Sequence, residues 1–185
     1  MRVTLLSKRY AQALFELALE LKILEKVDKD ISLIDTVLKE NRELRVILAN
    51  PVLDGYKKLR VLNALFEGKI EILTLKFLQL ITKKDREKYI IHICEAFVKI
   101  YKDFKNIMDV TLTTAYDADK KTIDAILTKL RTVTEKELDV TEEVDESLIG
   151  GFKLDFEDYQ YDDSVKVQLK RLAKEFSDNL YISKL

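Results

Sequence analysis

The side chains that could carry out chemistry are few, and their spacing does not assemble a reactive site. His92 and Cys94 are the only histidine and the only cysteine in the sequence. They lie two positions apart in a helical pattern and therefore point to different sides of the helix. A metal site built from these residue types needs more ligands than the chain supplies. We therefore predict structural roles for both residues.

The glycines exclude one large class of nucleotide-binding proteins. Gly55, Gly68, Gly150 and Gly151 cannot make a phosphate-binding loop or a dinucleotide fingerprint. The pair Gly150-Gly151 nevertheless interrupts a strand pattern, directly after the acidic turn 145–147. Glycines in such a position mark a bulge or a close approach of two backbone segments. A hairpin corner and a place in a partner interface are both compatible with this pair.

Carboxylates are numerous in segments 135–146 and 155–163, but they lack the spacing of a calcium-binding loop. Strand alternation sends Asp155 and Glu157 to solvent, so a solvated acidic face is the favoured interpretation. A metal-dependent hydrolase that uses these carboxylates is the enzyme hypothesis, and calorimetric titration with a divalent metal would test it. The segment Lys83–Arg86 lies at a predicted helix break and indicates a charged surface turn. The sequence thus predicts no catalytic residue, metal site or cofactor.

Charge and composition divide the chain into two halves. Residues 1–105 hold 21 Lys and Arg against 15 Asp and Glu, whereas residues 106–185 hold 11 against 18. A basic half with net +6 and an acidic half with net −7 favour a connector with two partners. The basic charge is too dilute to predict nucleic-acid binding. No apolar run is long enough to span a membrane and no secretory signal begins the chain, so we expect no direct membrane insertion.

The hydrophobic period predicts six helices in residues 1–105. Because their connections are short, sequential helices should be near-antiparallel neighbours in a compact bundle. Thr4 is the expected N-cap of the first helix, and Asn50-Pro51 ends the third. The predicted helices cover 5–21, 24–38, 43–49, 57–66, 70–82 and 86–101. The first helix carries an apolar arc of roughly 200°, about twice the width that packing against one core requires. Either this helix is central in its own bundle, or its second stripe receives a partner helix.

The period changes from 3.6 to two after Asn106, which predicts a small mixed sheet in residues 106–185. Strands are expected at 107–114, around 138–142 and at 148–158. One helix is expected after an Asp117 or Asp119 cap to about Val133, and another from about 163 to 180. The overall prediction is an α+β chain: a six-helix N-terminal bundle at 1–105, followed by a β-α-β-β-α domain at 106–185.

Several short motifs resemble one known family, the delta subunit of bacterial and chloroplast F-type ATP synthase, called the oligomycin-sensitivity-conferring protein in mitochondria. The opening helix resembles it through the segment 9–18, Arg-Tyr-Ala-Gln-Ala-Leu-Phe-Glu-Leu-Ala. Asn50-Pro51, the segment 77–81 followed by Asp85-Arg86, and Ser147-Leu-Ile-Gly-Gly-Phe152 resemble further family motifs in the same order. The final helix, from Asp163-Ser-Val through Leu169 and Leu172, completes a match over the whole chain.

This resemblance implies a non-catalytic stator subunit in the peripheral stalk of a proton- or sodium-translocating ATP synthase. The N-terminal domain would bind N-terminal segments of the α subunits on the α3β3 catalytic head, and the C-terminal domain would bind the b subunits. By the resemblance, a groove between the first and fifth helices would use Tyr10, Ala13, Leu14, Leu17, Leu73, Phe77 and Ile81. The b-binding surface would use Gly150, Gly151, Phe152, Leu169 and Leu172.

The same resemblance places the protein at the cytoplasmic face of a bacterial cell membrane, held there through the assembled enzyme. The alternative function is a free-standing helical adaptor with a different partner. Co-purification with an ATPase of many subunits would distinguish the two.

Overall fold

A computed structural model describes the chain in five stretches, which are residues 2–116, 120–131, 134, 136–156 and 159–177. The chain divides into two compact units, Met1–Lys105 and Asn106–Leu185. The division falls where the hydrophobic period changes from 3.6 to two and where the net charge changes sign. Each unit buries its own hydrophobic core.

The described part of the N-terminal unit is a bundle of six α-helices, as the hydrophobic period predicts. They are α1 (Arg2–Glu20), α2 (Leu24–Glu40), α3 (Arg42–Ala49), α4 (Gly55–Phe66), α5 (Ile72–Lys83) and α6 (Ile90–Lys105). A 3-10 turn, Glu87–Tyr89, precedes α6. Within the described ranges, no helix is long and apolar enough to cross a membrane.

The core of the bundle is aliphatic and aromatic, and α1 lies against both α6 and α2. Ala11, Leu14 and Ala18 of α1 are completely buried in it. Phe15 connects α1 to α6, because its ring lies 6.2 Å from that of Phe97 and 5.3 Å from that of Phe104. Small residues at positions 11 and 18 allow close packing of neighbouring helices around the buried Leu14 side chain.

Polar side chains fix where α4 and α5 begin. Asp54 is the N-cap of α4 and accepts a hydrogen bond from the backbone N–H of Tyr56. At the start of α5, the hydrogen-bond acceptor comes from α2 instead. Asp30 of α2 accepts from the Glu71 N–H at 2.9 Å and from the Thr74 hydroxyl at 2.8 Å. This contact fixes the N-terminus of α5 on α2, and it therefore helps to set the position of α5 beside α1.

The C-terminal unit is a four-stranded mixed sheet with helices. Its elements are β1 (Ile107–Thr114), α7 (Lys120–Arg131), β2 (Glu137–Val144), β3 (Phe152–Phe156), β4 (Tyr159–Asp162) and α8 (Val165–Ser177). The strand order is β2-β1-β3-β4, with β1 and β2 parallel and the other pairs antiparallel. Met108, Val110 and Leu112 alternate into the core against α7. The α+β class and the bundle-then-sheet order are confirmed.

Several element ends shift by up to four residues from the sequence predictions, and α6, predicted at 86–101, begins only at Ile90. Three further details differ. Thr4 is not an N-cap, because α1 already begins at Arg2. The strand predicted at 148–158 begins only at Phe152, since Glu146–Leu148 form a 3-10 turn and Ile149 and Gly151 adopt positive φ. β4 was not predicted because it is only four residues long and mostly exposed, although Tyr159 and Tyr161 alternate with Gln160 and Asp162. The expected caps Asp117 and Asp119, and Val133, lie outside the described residues.

Candidate partner-binding surfaces

The predicted groove between the first and fifth helices is centred on an aromatic contact. Tyr10 of α1 and Phe77 of α5 meet edge to face, with ring centroids 6.4 Å apart and an interplanar angle of 62°. Both side chains are half-buried, so each packs on the bundle and still presents ring surface to solvent. Half-buried aromatic residues of this kind are frequent anchors in protein interfaces.

Arg86 fixes the orientation of Tyr10. Its guanidinium donates a hydrogen bond to the Tyr10 hydroxyl and lies 5.4 Å from the centre of the ring. The segment Lys83–Arg86 is thus more than a charged surface turn, because Arg86 is half-buried. The following residue, Glu87, forms a buried ion pair with Lys58 of α4. Sequence periodicity gave no signal for this arrangement, since Arg86 precedes the stripe of α6.

The remaining residues of the predicted groove separate into surface and core. Ala13 is exposed, Leu17 is 47% exposed and Leu73 is half-buried. Leu14 and Ile81 are completely buried in the bundle core, so their predicted direct contact with a partner is corrected. Both belong to the stripe that packs inside the domain, and they support the groove from beneath.

Leu80 is an exposed apolar residue that the predicted groove omitted. It is 48% exposed and lies three residues after Phe77 on α5. At about 100° per residue, Leu73, Phe77 and Leu80 fall within roughly 60° of one another. The 3–4 spacing of these residues in the sequence was the signal that could have identified it.

The pair Gly150-Gly151 lies against the beginning of α8. The Gly150 carbonyl accepts from the Val165 N–H at 2.9 Å, and the Phe152 carbonyl accepts from the Asp163 N–H at 3.0 Å. Gly151 has φ +79°, and a Cβ there would lie 2.4 Å from the Asp163 carbonyl oxygen. The close approach of two backbone segments therefore explains why glycines occupy these positions, independently of any partner.

The other predicted residues of the b-binding surface also divide into a partly buried residue and exposed residues. Phe152 is half-buried and packs against the sheet core, whereas Leu169 and Leu172 of α8 are about half exposed. Phe176 was not predicted, yet it is 80% exposed and completes the series Val165, Leu169, Leu172, Phe176. The 4–3–4 spacing is that of a helix that packs along another helix. Val165 is half-buried, and among the described residues nothing covers the other three residues of this stripe.

The carboxylates of the C-terminal unit serve local structure. Asp145 accepts from the Ser147 N–H and Asp162 from the Ser164 N–H. Hydrogen bonding from the serine side chain first, and from the serine N–H second, holds the pKa of each carboxyl below its usual range. Asp155 is half-buried rather than fully solvated, because Lys153 lies 2.8 Å away and Gln160 donates to it. These two contacts likewise lower the pKa of Asp155. Glu157 lies outside the described residues.

A metal site finds no support in the described part of the chain, where no three His, Cys, Asp or Glu side chains converge. His92 and Cys94 point to different sides of α6, as predicted, since His92 is exposed and Cys94 is buried. Burial, with the nearby Asp35 and Glu95 carboxylates, raises the pKa of the Cys94 thiol to about 12. A thiol in this environment is a structural core residue.

The stability of the protein should therefore fall above pH 9 because of Cys94. The thiol ionises near its ordinary pKa of 9.0 in the unfolded chain but only near 12 in the folded one, so rising pH favours the unfolded state. Between pH 8 and pH 10 this single group should cost about 1.4 kcal/mol. Urea unfolding of the wild type and of Cys94→Ala at both pH values measures it. Equal pH dependence in the two proteins would contradict the assignment.

Comparison with known proteins gives matches over nearly the whole chain. A family model described as the ATP synthase delta (OSCP) subunit matches residues 6–176. The ATP synthase subunit delta of Cytophaga hutchinsonii is 32% identical over 182 residues, which cover 97% of this chain and 98% of that protein. The chloroplastic ATP synthase delta chain of Chlamydomonas reinhardtii is 32% identical over 176 residues, 94% of this chain and 80% of that protein.

A solved structure is similar as well. One chain in the cryo-EM structure of the Toxoplasma gondii mitochondrial ATP synthase hexamer superposes with a TM-score of 0.71 at 26% identity. The superposition covers 95% of this chain and 99% of that chain, so both units of the present fold have counterparts there.

Proposed function

Because the chain belongs to the ATP synthase delta (OSCP) family, whose members are non-catalytic subunits of the peripheral stalk of F-type ATP synthase, we propose that it connects the two ends of that stalk. The N-terminal unit binds N-terminal segments of the α subunits on the catalytic head. The C-terminal unit binds the end of the membrane-anchored b subunits. The connection resists rotor torque, so the head does not turn with the rotor.

The feature that carries the first half of this proposal is the surface between α1 and α5. It combines the paired rings of Tyr10 and Phe77 with the exposed Ala13 and Leu17. A small residue at position 13 lets an incoming helix approach closely, and the apolar residues around it supply contact area. An amphipathic helix is the ligand that fits such a surface.

The second half of the proposal is supported by α8. Leu169, Leu172 and Phe176 form an exposed apolar stripe with the spacing of a helix seam, which suits the coiled-coil end of the b subunits. Gly150, Gly151 and Phe152 hold the segment from which α8 starts, and we assign them a supporting role in this surface. The acidic balance of the unit, net −7, suits a basic stretch on the partner.

Location follows from these partners. The protein is held at the cytoplasmic face of the bacterial cell membrane through the b subunits. The bacterial source of the Cytophaga relative supports this assignment.

Binding of the full-length protein to two synthetic segments tests the function. One is the N-terminal peptide of the host α subunit and the other is the C-terminal segment of the host b subunit. We expect both to bind at the same time, each without displacing the other. A protein that binds neither segment, and that does not co-purify with the host ATP synthase, would instead be an adaptor for other partners.

The salt dependence of b-subunit binding should reveal how charge contributes. Raising the salt from about 50 to 500 mM shortens the Debye length from roughly 14 Å to about 4 Å. Association with the b segment should slow, because the acidic unit steers a basic partner, while dissociation should change little. Stopped-flow measurements at several salt concentrations separate the two rates. An effect confined to the dissociation rate would place the interface on another surface.

A further inference from the structure

Ile149 combines two features that a side chain with a purely local role would avoid. Its backbone lies in the left-handed region that favours glycine, with φ +68° and ψ −35°. The other non-glycine residues with positive φ among the described residues are polar, namely Lys22, Asp85 and Asn106. For a β-branched residue this conformation is a genuine outlier. The Ile149 side chain is also 70% exposed, so it adds little to the hydrophobic core.

The residues on both sides of Ile149 hold its backbone in this conformation. The preceding residue, Leu148, is buried. The Ile149 N–H donates to the Glu146 carbonyl at 3.3 Å, and the carbonyl of the following Gly150 accepts from the Val165 N–H at 2.9 Å. Backbone strain of this kind persists only where the surroundings impose it, and it is concentrated at functional sites.

Nothing in the described part of the chain compensates for an isoleucine at position 149. Glycine or asparagine would adopt the same φ with less strain. An isoleucine that is 70% exposed keeps most of its apolar surface in water and gains little hydrophobic stabilisation there. The strained backbone and the solvated side chain both lower the stability of the free protein. A partner that buries the side chain would offset both effects.

Ile149 lies at the N-terminal end of the apolar stripe on α8, which begins at Val165 and ends at Phe176. The connection runs through Gly150, because a Cβ on Gly150 would lie 3.1 Å from a Val165 methyl group. Ile149 therefore continues the stripe beyond the first turn of α8. A partner that covers the stripe from this end would also meet Ile149.

The charge around Ile149 indicates the kind of partner. Segment 137–152 contains six acidic residues and no basic one, and the four acidic residues between 142 and 146 are all exposed. Basic side chains follow on α8, which exposes Lys166, Lys170 and Arg171. The acidic turn would repel a second copy of itself and an anionic membrane. The occupant that fits is an apolar segment with basic side chains beside residues 142–146 and acidic ones along α8.

We propose that Ile149 is the apolar anchor of the b-subunit interface, which the strained turn holds out so that it inserts between apolar side chains of the b segment. This assignment rests on the function proposed above, because the b segment is the partner assigned to the α8 stripe. The charge pattern orients that segment, with its basic residues at the Ile149 end. A few residues supply most of the binding energy of an interface, and one that is already fixed in its bound conformation loses little entropy on binding.

Substitution of Ile149 in the full-length protein tests the anchor. Ile149→Asn should weaken binding of a synthetic C-terminal segment of the host b subunit about tenfold, because the buried apolar contact is lost. The urea midpoint of the C-terminal unit should not fall, since asparagine tolerates positive φ. Lys22→Asn is the matched control, because it places the same side chain at another exposed position with φ +57°. That variant should bind within about twofold of the wild type, and Ile149→Leu, which stays apolar, within about threefold.

Three outcomes would contradict this assignment. Normal affinity of Ile149→Asn, together with weakened binding by Leu169→Ser, would overturn the anchor and leave the proposed function in place. A lower urea midpoint of the C-terminal unit in Ile149→Asn would show that the side chain supports the fold, and this result would also overturn the anchor. Failure of the wild type to bind the b segment would overturn the proposed function as well.

Methyl NMR of the wild type tests the contact without a substitution. The δ1 methyl signal of Ile149 should shift when the b segment is added. The δ1 methyl signal of Ile72 should stay in place, because Ile72 is equally exposed, at 69%, but lies on α5 in the N-terminal unit. An unshifted Ile149 signal in a complex that forms normally, or a shift of the Ile72 signal alone, would overturn the proposal.

Discussion

Replacing Ala13 by Asp is expected to abolish binding of the α-subunit N-terminal peptide while the N-terminal unit stays folded. Ala13 is exposed on α1 beside the Tyr10–Phe77 contact, so the new carboxylate is solvated in the free protein. It becomes buried and unpaired when a helix covers the groove, which costs several kcal/mol. A loss of about 3 kcal/mol already weakens binding more than a hundredfold. Calorimetric titration with the peptide measures this effect.

Ala64→Asp is the matched control for this experiment. Ala64 is exposed in the last turn of α4, so the substitution introduces the same side chain on another exposed helix surface, with only a small added cost from a negative charge near the helix C-terminus. We expect both variants to melt at similar temperatures and only Ala13→Asp to lose the peptide. An unfolded Ala13→Asp variant would show that this position contributes to the core. A folded variant with normal affinity would show that the peptide binds elsewhere.

The bundle could be predicted from sequence because its apolar positions repeat with a clean helical period and its connections are short. The few errors have local causes. Thr4 has the side chain of an N-cap, but the preceding Arg2 and Val3 continue the helix. The short strand β4, Tyr159–Asp162, lies mostly exposed at the edge of the sheet, and four residues are too few for their alternation to distinguish a separate strand.

The groove could be predicted only in part, because a one-dimensional period does not separate two adjacent stripes of a wide apolar arc. Leu14 and Leu17 are both apolar and lie within roughly 60° of each other on α1, yet Leu14 is completely buried and Leu17 is 47% exposed. The difference depends on which neighbours pack against α1, and this is a property of the assembled bundle. The Arg86–Tyr10 contact likewise joins residues 76 positions apart.

The sequence left two explanations open for Gly150-Gly151, a hairpin corner and a place in a partner interface, and the structure shows the close approach of two backbone segments that such glycines indicate. Gly151 combines a positive φ with a backbone oxygen at 2.4 Å from the site of a Cβ, whereas a Cβ on Gly150 would lie 3.1 Å from a Val165 methyl group. A defect in b-subunit binding after substitution of Gly151 would therefore not identify a contact residue. Exposed side chains such as Leu169 are the appropriate probes of that interface.

Gly151→Ala is expected to destabilise the C-terminal unit by about 2–4 kcal/mol, since it adds a steric clash to the cost of about 1–2 kcal/mol for an L-residue at positive φ. Gly68→Ala is the matched control, because Gly68 has nearly the same φ, +77°, and nothing lies within 4 Å of its Cβ position. That variant should lose only the conformational part, about 1 kcal/mol, from the N-terminal unit. Hydrogen exchange of peptides from each unit, measured at increasing urea concentration, assigns each loss to its unit. Equal losses in the two variants would mean that segment 163–164 moves aside at no cost, and the glycine pair would then be free to serve the b-subunit interface directly.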